Sequence, residues 1–376
     1  MNDGRRYLLL FCLAAALIAG VASSPIPVDP YTDFQALYHA NLGVLRGVPF
    51  YDWDGQVNMI AELAGVEPAQ VLLNPFAYPP WYALITLPLA MLPIHTAARV
   101  WFAINFLMVI VSAWLMSAGW PPLRRLLSLL AAVMFLPVLG TLVVGQFTFP
   151  VLLGAAILLY ALPRERSWLT TLGLVLLTFK PHMGGLVFLA ILVHLFVRQD
   201  RFARGVFWRT GAVMVFLFAA GFLVDQGWPV HYLEKLFVFR GVSQCEGLCI
   251  SLPMLISSWL RKDSLPLMLL TGLLLLGWSG WFIGSRPKVW NDAGRLLAVG
   301  ICITLLSSPY QYNYDFVILL APLFVFASRA KSKVVWIVLA LAYVLPWAGL
   351  FFGRQGNAVL LLSAFALLIL LWQDRA

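Results

Sequence analysis

Long apolar runs alternate with short polar connections along most of the chain. Periodicity and length predict helices over residues 7–22, 97–117, 126–144, 149–162, 168–179, 183–197, 211–224, 265–283, 296–306, 316–327, 334–352 and 358–372. This pattern predicts an all-α polytopic membrane protein with about 12 transmembrane helices. Several runs are shorter than the roughly 20 residues that cross a bilayer. Their ends must therefore extend into flanking residues, or the helices must tilt little.

The first apolar run follows Arg5 and Arg6 and ends at a small polar segment. This run has two interpretations, a cleaved signal peptide or an uncleaved first span. Its length of about 16 residues favours the span. The polar stretch after it, residues 23–82, is expected to be a first external loop with interfacial helices. Residues 81–93 contain an internal proline and are expected to form an interfacial or half-inserted helix. We expect one integral membrane domain over 1–376.

Composition agrees with a membrane environment, because 62% of the residues are hydrophobic and only 11% are charged. The net charge of +9 lies in short clusters between apolar runs rather than along one face, which argues against nucleic-acid binding. All clusters can be cytoplasmic together, so both termini are predicted to lie inside a plasma (inner) membrane. The polar stretches 23–82, 225–264 and 307–315 are then external.

The first external loop contains a candidate catalytic carboxylate. Residues 33–45 are amphipathic at helical spacing, and Asp33 stands at their start, with Tyr38 further along. Asp33 has two readings: an N-cap of this helix, or a general base that faces a cavity. Asp29 and Asp52 are alternative carboxylates in the same loop.

Other polar groups lie at the ends of apolar runs. Lys180, followed by Pro181 and His182, suits either snorkelling to the membrane interface or binding a phosphate. Gln146 fits helix packing as well as ligand contact. Tyr314 belongs to a tyrosine-rich segment typical of an interfacial aromatic belt, but Asp315 directly precedes an apolar run and suggests function.

The cysteines do not define a disulfide framework. Cys245 and Cys249 share a polar segment, where a local disulfide is more plausible than a metal site. Cys12 and Cys302 sit inside apolar runs, where packing is the default. No acidic pair has convincing metal-ligand spacing, so no metal site is predicted.

Several short motifs occur in a defined order along the chain. They are Asp33 with Tyr38, Gly47 with Tyr51, Tyr78-Pro79-Pro80, Gly145-Gln146, Lys180-Pro181, and Ser308-Pro309-Tyr310 through Tyr314-Asp315. Together they resemble glycosyltransferase family 87, over about residues 30–328. That family includes polyprenyl-phosphate-mannose-dependent α-mannosyltransferases.

The resemblance implies a type C glycosyltransferase fold with its active site at the external, or periplasmic, face. It makes Asp33 the catalytic base. It assigns donor-phosphate or substrate binding to Lys180, His182, Gln146, Tyr38, Tyr78, Tyr314 and Asp315. The donor it implies is a polyprenyl-phosphate sugar, with mannose as the leading hexose and a glycan or glycolipid as acceptor. Some members carry a histidine after the Ser-Pro element, whereas this chain has Asn313, Tyr314 and Asp315.

The implied reaction is inverting transfer of a hexose to an acceptor hydroxyl. Phosphate is a competent leaving group, so one base and one cation suffice, and no cofactor is expected. A transporter or flippase of a lipid-linked or small solute is the main alternative. It would need a path open alternately to both sides, whereas the polar groups here gather at one predicted face. A noncatalytic scaffold is less favoured, because Lys180 and Asp315 would be costly in a membrane without a function.

Overall fold

The computed structural model describes residues 3–25, 27–74, 76–242, 250–260, 265–308, 311–356 and 358–373. Within these ranges the chain is helical, with connecting turns and no strand. The α-helices are α1 (Asp3–Ala22), α2 (Phe34–Leu45), α3 (Trp53–Ala64), α4 (Pro80–Thr86), α5 (Ile94–Met116), α6 (Pro122–Val133), α7 (Leu136–Val143), α8 (Phe149–Ala161), α9 (Ser167–Leu177), α10 (Pro181–Arg198), α11 (Arg201–Gly221), α12 (Trp228–Val242), α13 (Leu252–Trp259), α14 (Leu265–Gly284), α15 (Pro287–Trp290), α16 (Ala293–Ser307), α17 (Leu320–Arg329), α18 (Lys333–Gly356) and α19 (Val359–Gln373). Shorter 3₁₀ turns cover Pro68–Gln70, Leu87–Met91, Leu162–Arg164 and Asn313–Leu319.

Several helices have the length and composition of membrane spans. Among the described residues, α5, α10 and α11 are long and apolar enough to cross a bilayer. The pair α6 and α7 would make a fourth span, bent by 51° at its break. Shorter apolar helices accompany them, including α8, α9, α16 and α19. The chain is therefore an all-α membrane protein, and the figure of about 12 spans stays a prediction.

Two predicted helices are interrupted in the structure. The run 126–144 divides into α6 and α7, and Pro137, the second residue of α7, has no amide hydrogen to donate to the Val133 carbonyl at the end of α6. The run 316–327 begins as the 3₁₀ turn Asn313–Leu319 before α17 starts. Residues 225–264, expected to be a polar external loop, contain α12 and α13.

The chain divides into two compact units. The first comprises Met1–Met108, Leu142–Gln146 and Val215–Ser243, and the second comprises Val109–Thr141, Phe147–Met214 and Gln244–Ala376. The single integral membrane domain expected over 1–376 stays a prediction, as does the external position of 23–82.

Aromatic side chains form the core of the first unit around the start of α2. The Phe34 and Trp101 rings stack with centroids 6.4 Å apart, and Tyr82 lies 6.3 Å from the same indole. All three side chains are buried. Ring pairs of this geometry contribute about 0.5 to 1.5 kcal/mol each and fix the orientation of the side chains. This packing fixes the α2 N-terminus, and with it Asp33.

A close helix contact positions Lys180 in the second unit. A Cβ atom at Gly184 would overlap the Leu177 carbonyl, so only glycine lets α10 start directly against the end of α9. Lys180 is the last residue before Pro181 opens α10, where proline's missing amide hydrogen costs nothing. The lysine side chain is therefore carried at a rigid helix start.

Candidate functional site

Three of the predicted residues meet in the first unit. The Gln146 side-chain Nε2 donates to Asp33 Oδ2 at 2.9 Å, and the Tyr78 hydroxyl donates to Gln146 Oε1 at 3.3 Å. Gln146 is only 3% exposed, whereas Asp33 is partly exposed. The amide thus fixes the orientation of a carboxylate that remains partly accessible at the surface of the unit. A carboxylate held in this way can accept a proton from a hydroxyl placed beside it.

Asp33 occupies the N-cap position of α2, but its side chain makes no capping hydrogen bond. Asp52, by contrast, accepts from the Gly55 amide and caps α3, and Asp29 accepts from the Tyr31 amide in a turn. Both alternative carboxylates therefore have local structural roles. Asp33 points to Gln146 instead, which favours the functional reading over the capping one.

Gly145 lets Gln146 reach Asp33. Its φ of +63° lies in the left-handed region, and a Cβ atom there would stand 2.9 Å from the Phe34 Cβ. The Trp101 indole N–H donates to the Gly145 carbonyl at 2.8 Å, within the buried core. Gly145 thus provides the backbone conformation that fits against Phe34, and Gln146 provides the side-chain contact to Asp33.

A second layer of residues supports Tyr78. The Tyr51 hydroxyl donates to the Tyr78 carbonyl at 2.7 Å, and the Tyr51 and Tyr232 rings lie 5.7 Å apart. Burial, then the neighbouring Tyr232 and Asp225, raises the pKa of Tyr51 well above its usual range, so the phenol stays protonated and donates. Asp225 in turn contacts His231 Nδ1 at 2.9 Å. Sequence reasoning missed Asp225, His231 and Tyr232, since they lie in a segment without an apolar pattern.

Tyr38 does not join this cluster. Its hydroxyl donates to the Leu92 carbonyl at 2.8 Å, which anchors α2 to the end of the Leu87–Met91 turn. Burial raises the pKa of this phenol. The structure therefore gives Tyr38 a packing contact, and its predicted substrate-binding role is not tested.

A second polar cluster lies inside the second unit. Lys180 Nζ is 2.5 Å from Asp315 Oδ1 and donates to the Thr148 hydroxyl at 2.9 Å, and that hydroxyl donates to the same Asp315 oxygen at 2.9 Å. Lys180 is 2% exposed and Asp315 is fully buried. The snorkelling interpretation of Lys180 is therefore wrong in this structure. Sequence reasoning missed Thr148, a single hydroxyl among apolar residues.

The remaining predicted residues surround this ion pair. The Lys180 ammonium lies 5.3 Å from the centre of the Tyr314 ring, within cation–π range. Asp315 Oδ2 accepts from the Tyr312 amide at 3.0 Å, which holds the 3₁₀ turn in place. His182 is two residues beyond Lys180, where both charges act on its imidazole. A buried cation and carboxylate with these partners form a nearly neutral, rigid unit.

Two expectations fall on residues outside the described ranges. The predicted Cys245–Cys249 disulfide lies there, and so do Pro309 and Tyr310 of the Ser-Pro-Tyr element. Within the described ranges, Cys12 and Cys302 are free thiols. The same ranges contain no group of three or more His, Cys, Asp or Glu side chains placed to hold a metal ion.

The comparisons with known proteins identify the family. The model of glycosyltransferase family 87 matches residues 76–309, more than half of the chain, so this chain belongs to glycosyltransferase family 87. The predicted family is thus confirmed, and the protein is a membrane glycosyltransferase. The matched range includes Tyr78, Gln146 and Lys180, but begins after Asp33 and ends before Asp315. The searches of curated proteins and of solved structures each return no match.

Proposed function

We propose that this glycosyltransferase moves a hexose, with mannose as the leading candidate, from a polyprenyl phosphate to an acceptor hydroxyl. The acceptor is a glycan or glycolipid, and Asp33 is the general base. The observation that carries the proposal is the Asp33 carboxylate, which stands at a helix start yet is held by Gln146 rather than by its own helix. Such a positioned and partly exposed carboxylate suits proton transfer.

The proposed step is an in-line displacement at the anomeric carbon. The acceptor oxygen forms a bond to C1 while the bond between C1 and the phosphate oxygen breaks. The hydroxyl proton goes to Asp33, and the leaving electron pair goes to the polyprenyl phosphate. Because attack is opposite to the leaving group, a β-linked donor gives an α-linked product. The protein's contribution is alignment and charge stabilisation.

Lys180 is proposed to stabilise the negative charge of the donor phosphate. Its ammonium is already balanced by Asp315, so phosphate binding must weaken or replace the Thr148 and Asp315 contacts. Ammonium groups adapt to such exchanges because their three donors rotate on a flexible stem. His182 and Tyr314, beside the same ammonium, are proposed as further substrate contacts.

The proposed orientation follows from the positive charges. Both termini and the segments around Arg166 and Arg204 are proposed to be cytoplasmic, so the active face is external. Reporter fusions after Arg166 and after Arg204 should both report the cytoplasm. An external signal from either fusion contradicts this orientation.

An assay of bond cleavage tests the function. Purified protein in sealed vesicles is incubated with radiolabelled polyprenyl-phosphate mannose, and then with the glucose and galactose analogues, plus a lipid extract as acceptor source. Transfer predicts release of polyprenyl phosphate together with an equal amount of α-linked product. Protein-free vesicles are the control. Movement of labelled donor across the membrane without cleavage would instead support the transporter reading.

A further inference from the structure

A concave surface lies in the second unit, between α6, α17 and α18. It has a volume of about 380 Å³, and its lining includes Trp120, Arg124, Leu127, Phe324, Trp336 and Ala340. Several lining side chains, including Leu127, Trp336 and Val344, are exposed. On a membrane protein, an exposed apolar groove of this kind is suited to contact with lipid. We refer to it as the α6/α17/α18 groove.

Within the described part of the chain, Arg124 is the only charged residue that lines this groove. Its guanidinium lies 4.1 Å from the Trp120 ring centre and 5.5 Å from that of Trp336. One nitrogen donates to the Ala327 carbonyl at 2.6 Å. A guanidinium has five N–H donors, so most of its capacity remains for a further acceptor. The two indoles hold it at one end of the groove.

The lining residues follow α6 and α18 along their lengths. Along α6 they fall at 124, 127, 128, 131 and 132, and along α18 at 336, 339, 340, 343 and 344. Each set spans nine residues, or about 12 Å of helix. Arginine and tryptophan therefore mark one end, and mostly apolar side chains, with Ser128 and Tyr343 among them, continue for two turns beyond it. Tryptophan and arginine at such an end are typical of the membrane interface.

Two more basic residues lie close in sequence to Ala327 and Trp336, the residues that contact Arg124. Lys333 lies one turn before Trp336 and is exposed, whereas Arg329 at the end of α17 is paired with Asp292 at 2.8 Å. No acidic residue lines the groove within the described part of the chain. A negatively charged headgroup is thus matched in charge, and a hydrocarbon chain is matched below it.

We propose that the α6/α17/α18 groove binds an anionic phospholipid. One acyl chain lies along Leu127, Ala131 and Ala340, and the headgroup phosphate pairs with Arg124. This site is independent of the proposed transfer reaction. It would hold α6, α17 and α18 together through a ligand that the membrane itself supplies.

Arg125 provides a matched control. It neighbours Arg124, carries the same charge, and also stacks on a tryptophan, with its guanidinium 3.2 Å from the Trp114 ring centre. It does not line the groove. Arg124→Gln and Arg125→Gln therefore remove equivalent charges, and only the first removes the proposed phosphate contact.

The test titrates dioleoyl-phosphatidylglycerol or dioleoyl-phosphatidylcholine into delipidated full-length protein, with native mass spectrometry and thermal unfolding as readouts. We expect phosphatidylglycerol to bind and raise the Tm, and phosphatidylcholine to do so much less. Arg124→Gln should weaken phosphatidylglycerol binding about tenfold, the value of one charge-assisted hydrogen bond. Arg125→Gln should bind like the wild type. Glycerol phosphate, which lacks acyl chains, should not bind detectably.

A groove-filling variant gives an independent arm. Ala340 is exposed and lies in the apolar part of the groove, so Ala340→Trp should block the acyl chain while Arg124 stays intact. We expect this variant to lose phosphatidylglycerol binding as well. Unchanged binding in Ala340→Trp, equal losses in the two arginine variants, or displacement of the lipid by polyprenyl phosphate at equal concentration would overturn the proposal.

Discussion

The Gln146 amide donates to the Asp33 carboxylate at 2.9 Å, across a separation of 113 residues. The contact joins the Gly-Gln element to the start of α2, and Tyr78 holds the other side of the same amide at 3.3 Å. Because the amide is buried and the carboxylate is partly exposed, we expect Gln146 to position Asp33 for the proposed reaction.

Removing this amide should impair turnover more than binding. In Gln146→Leu, Asp33 loses a donor and its orientation, and misplacement of a catalytic group by about 1 Å can cost about 10²-fold in rate. We expect kcat to fall about 10- to 100-fold with a nearly unchanged KM for the donor. Steady-state kinetics with radiolabelled donor measure the split. A rise in KM alone would make Gln146 a substrate ligand instead.

Gly145 should tolerate no side chain. Gly145→Ala combines left-handed strain of about 1 to 2 kcal/mol with overpacking against Phe34 of about 1 to 3 kcal/mol. Gly65 has a similar φ of +66° but open space around it, so Gly65→Ala isolates the backbone strain. We expect the Tm to fall further in Gly145→Ala than in Gly65→Ala at the same scan rate. Equal shifts would show that the Phe34 contact is not restrictive.

Variants of the Lys180–Asp315 ion pair can distinguish a structural role of Lys180 from a role in binding the donor phosphate. The Lys180→Met variant should lose about 3 to 5 kcal/mol of its free energy of unfolding, because Asp315 is left buried without its cation. Adding Asp315→Asn removes that charge, and its one oxygen can still accept from the Tyr312 amide while its NH2 group donates to the Thr148 hydroxyl. The double variant should therefore regain most of its thermal stability.

Donor binding distinguishes the two roles. If Lys180 stabilises the donor phosphate, the double variant should be stable and still bind polyprenyl-phosphate sugar weakly. Equilibrium binding of labelled donor to the wild type, the single variant and the double variant gives the answer. Recovery of donor binding together with stability would make the ion pair purely structural.

His39 should make stability depend on pH. Burial lowers the pKa of this imidazole to about 4, against about 6.5 in an unfolded chain, and its Nδ1 is buried without a hydrogen-bond partner in the described structure. The unfolded state then binds more protons at acid pH. The stability that depends on a neutral, buried His39 is fully present above about pH 6.5 and is lost as the pH falls towards 4. The loss amounts to at most about 3 kcal/mol in the free energy of unfolding. His39→Gln should flatten the pH dependence of Tm in this window. An unchanged slope contradicts the burial argument.

Much of the helical framework follows from apolar runs alone. The periodicity of 33–45 predicts α2 within a residue at each end, and the apolar run at 97–117 matches α5 closely. Helices without an apolar pattern were missed, such as α12, whose residues mix charged and aromatic groups. Periodicity reports burial of one face, so a helix that lacks such a face leaves no signal.

The sequence predicted individual residues of the candidate site but not the contacts between them. Local spacing placed Asp33 at a helix start, but it could not pair Asp33 with Gln146 or Lys180 with Asp315, which are separated by 135 residues. Those pairings depend on how helices pack, and only the resemblance to a family brought the residues together beforehand. Thr148 gave no signal at all, because a single threonine in an apolar stretch is ordinary.

The variant Asp33→Asn tests the central claim most directly. It keeps the shape of the side chain but removes the negative charge and most of the basicity. Transfer of labelled hexose should fall about 10²- to 10⁴-fold, while expression and donor binding stay near wild type. Asp29→Asn and Asp52→Asn, which alter a turn and an exposed helix cap, should be far milder. Normal turnover by Asp33→Asn would contradict the assignment of the base, and normal turnover by all three variants would contradict the transferase mechanism itself.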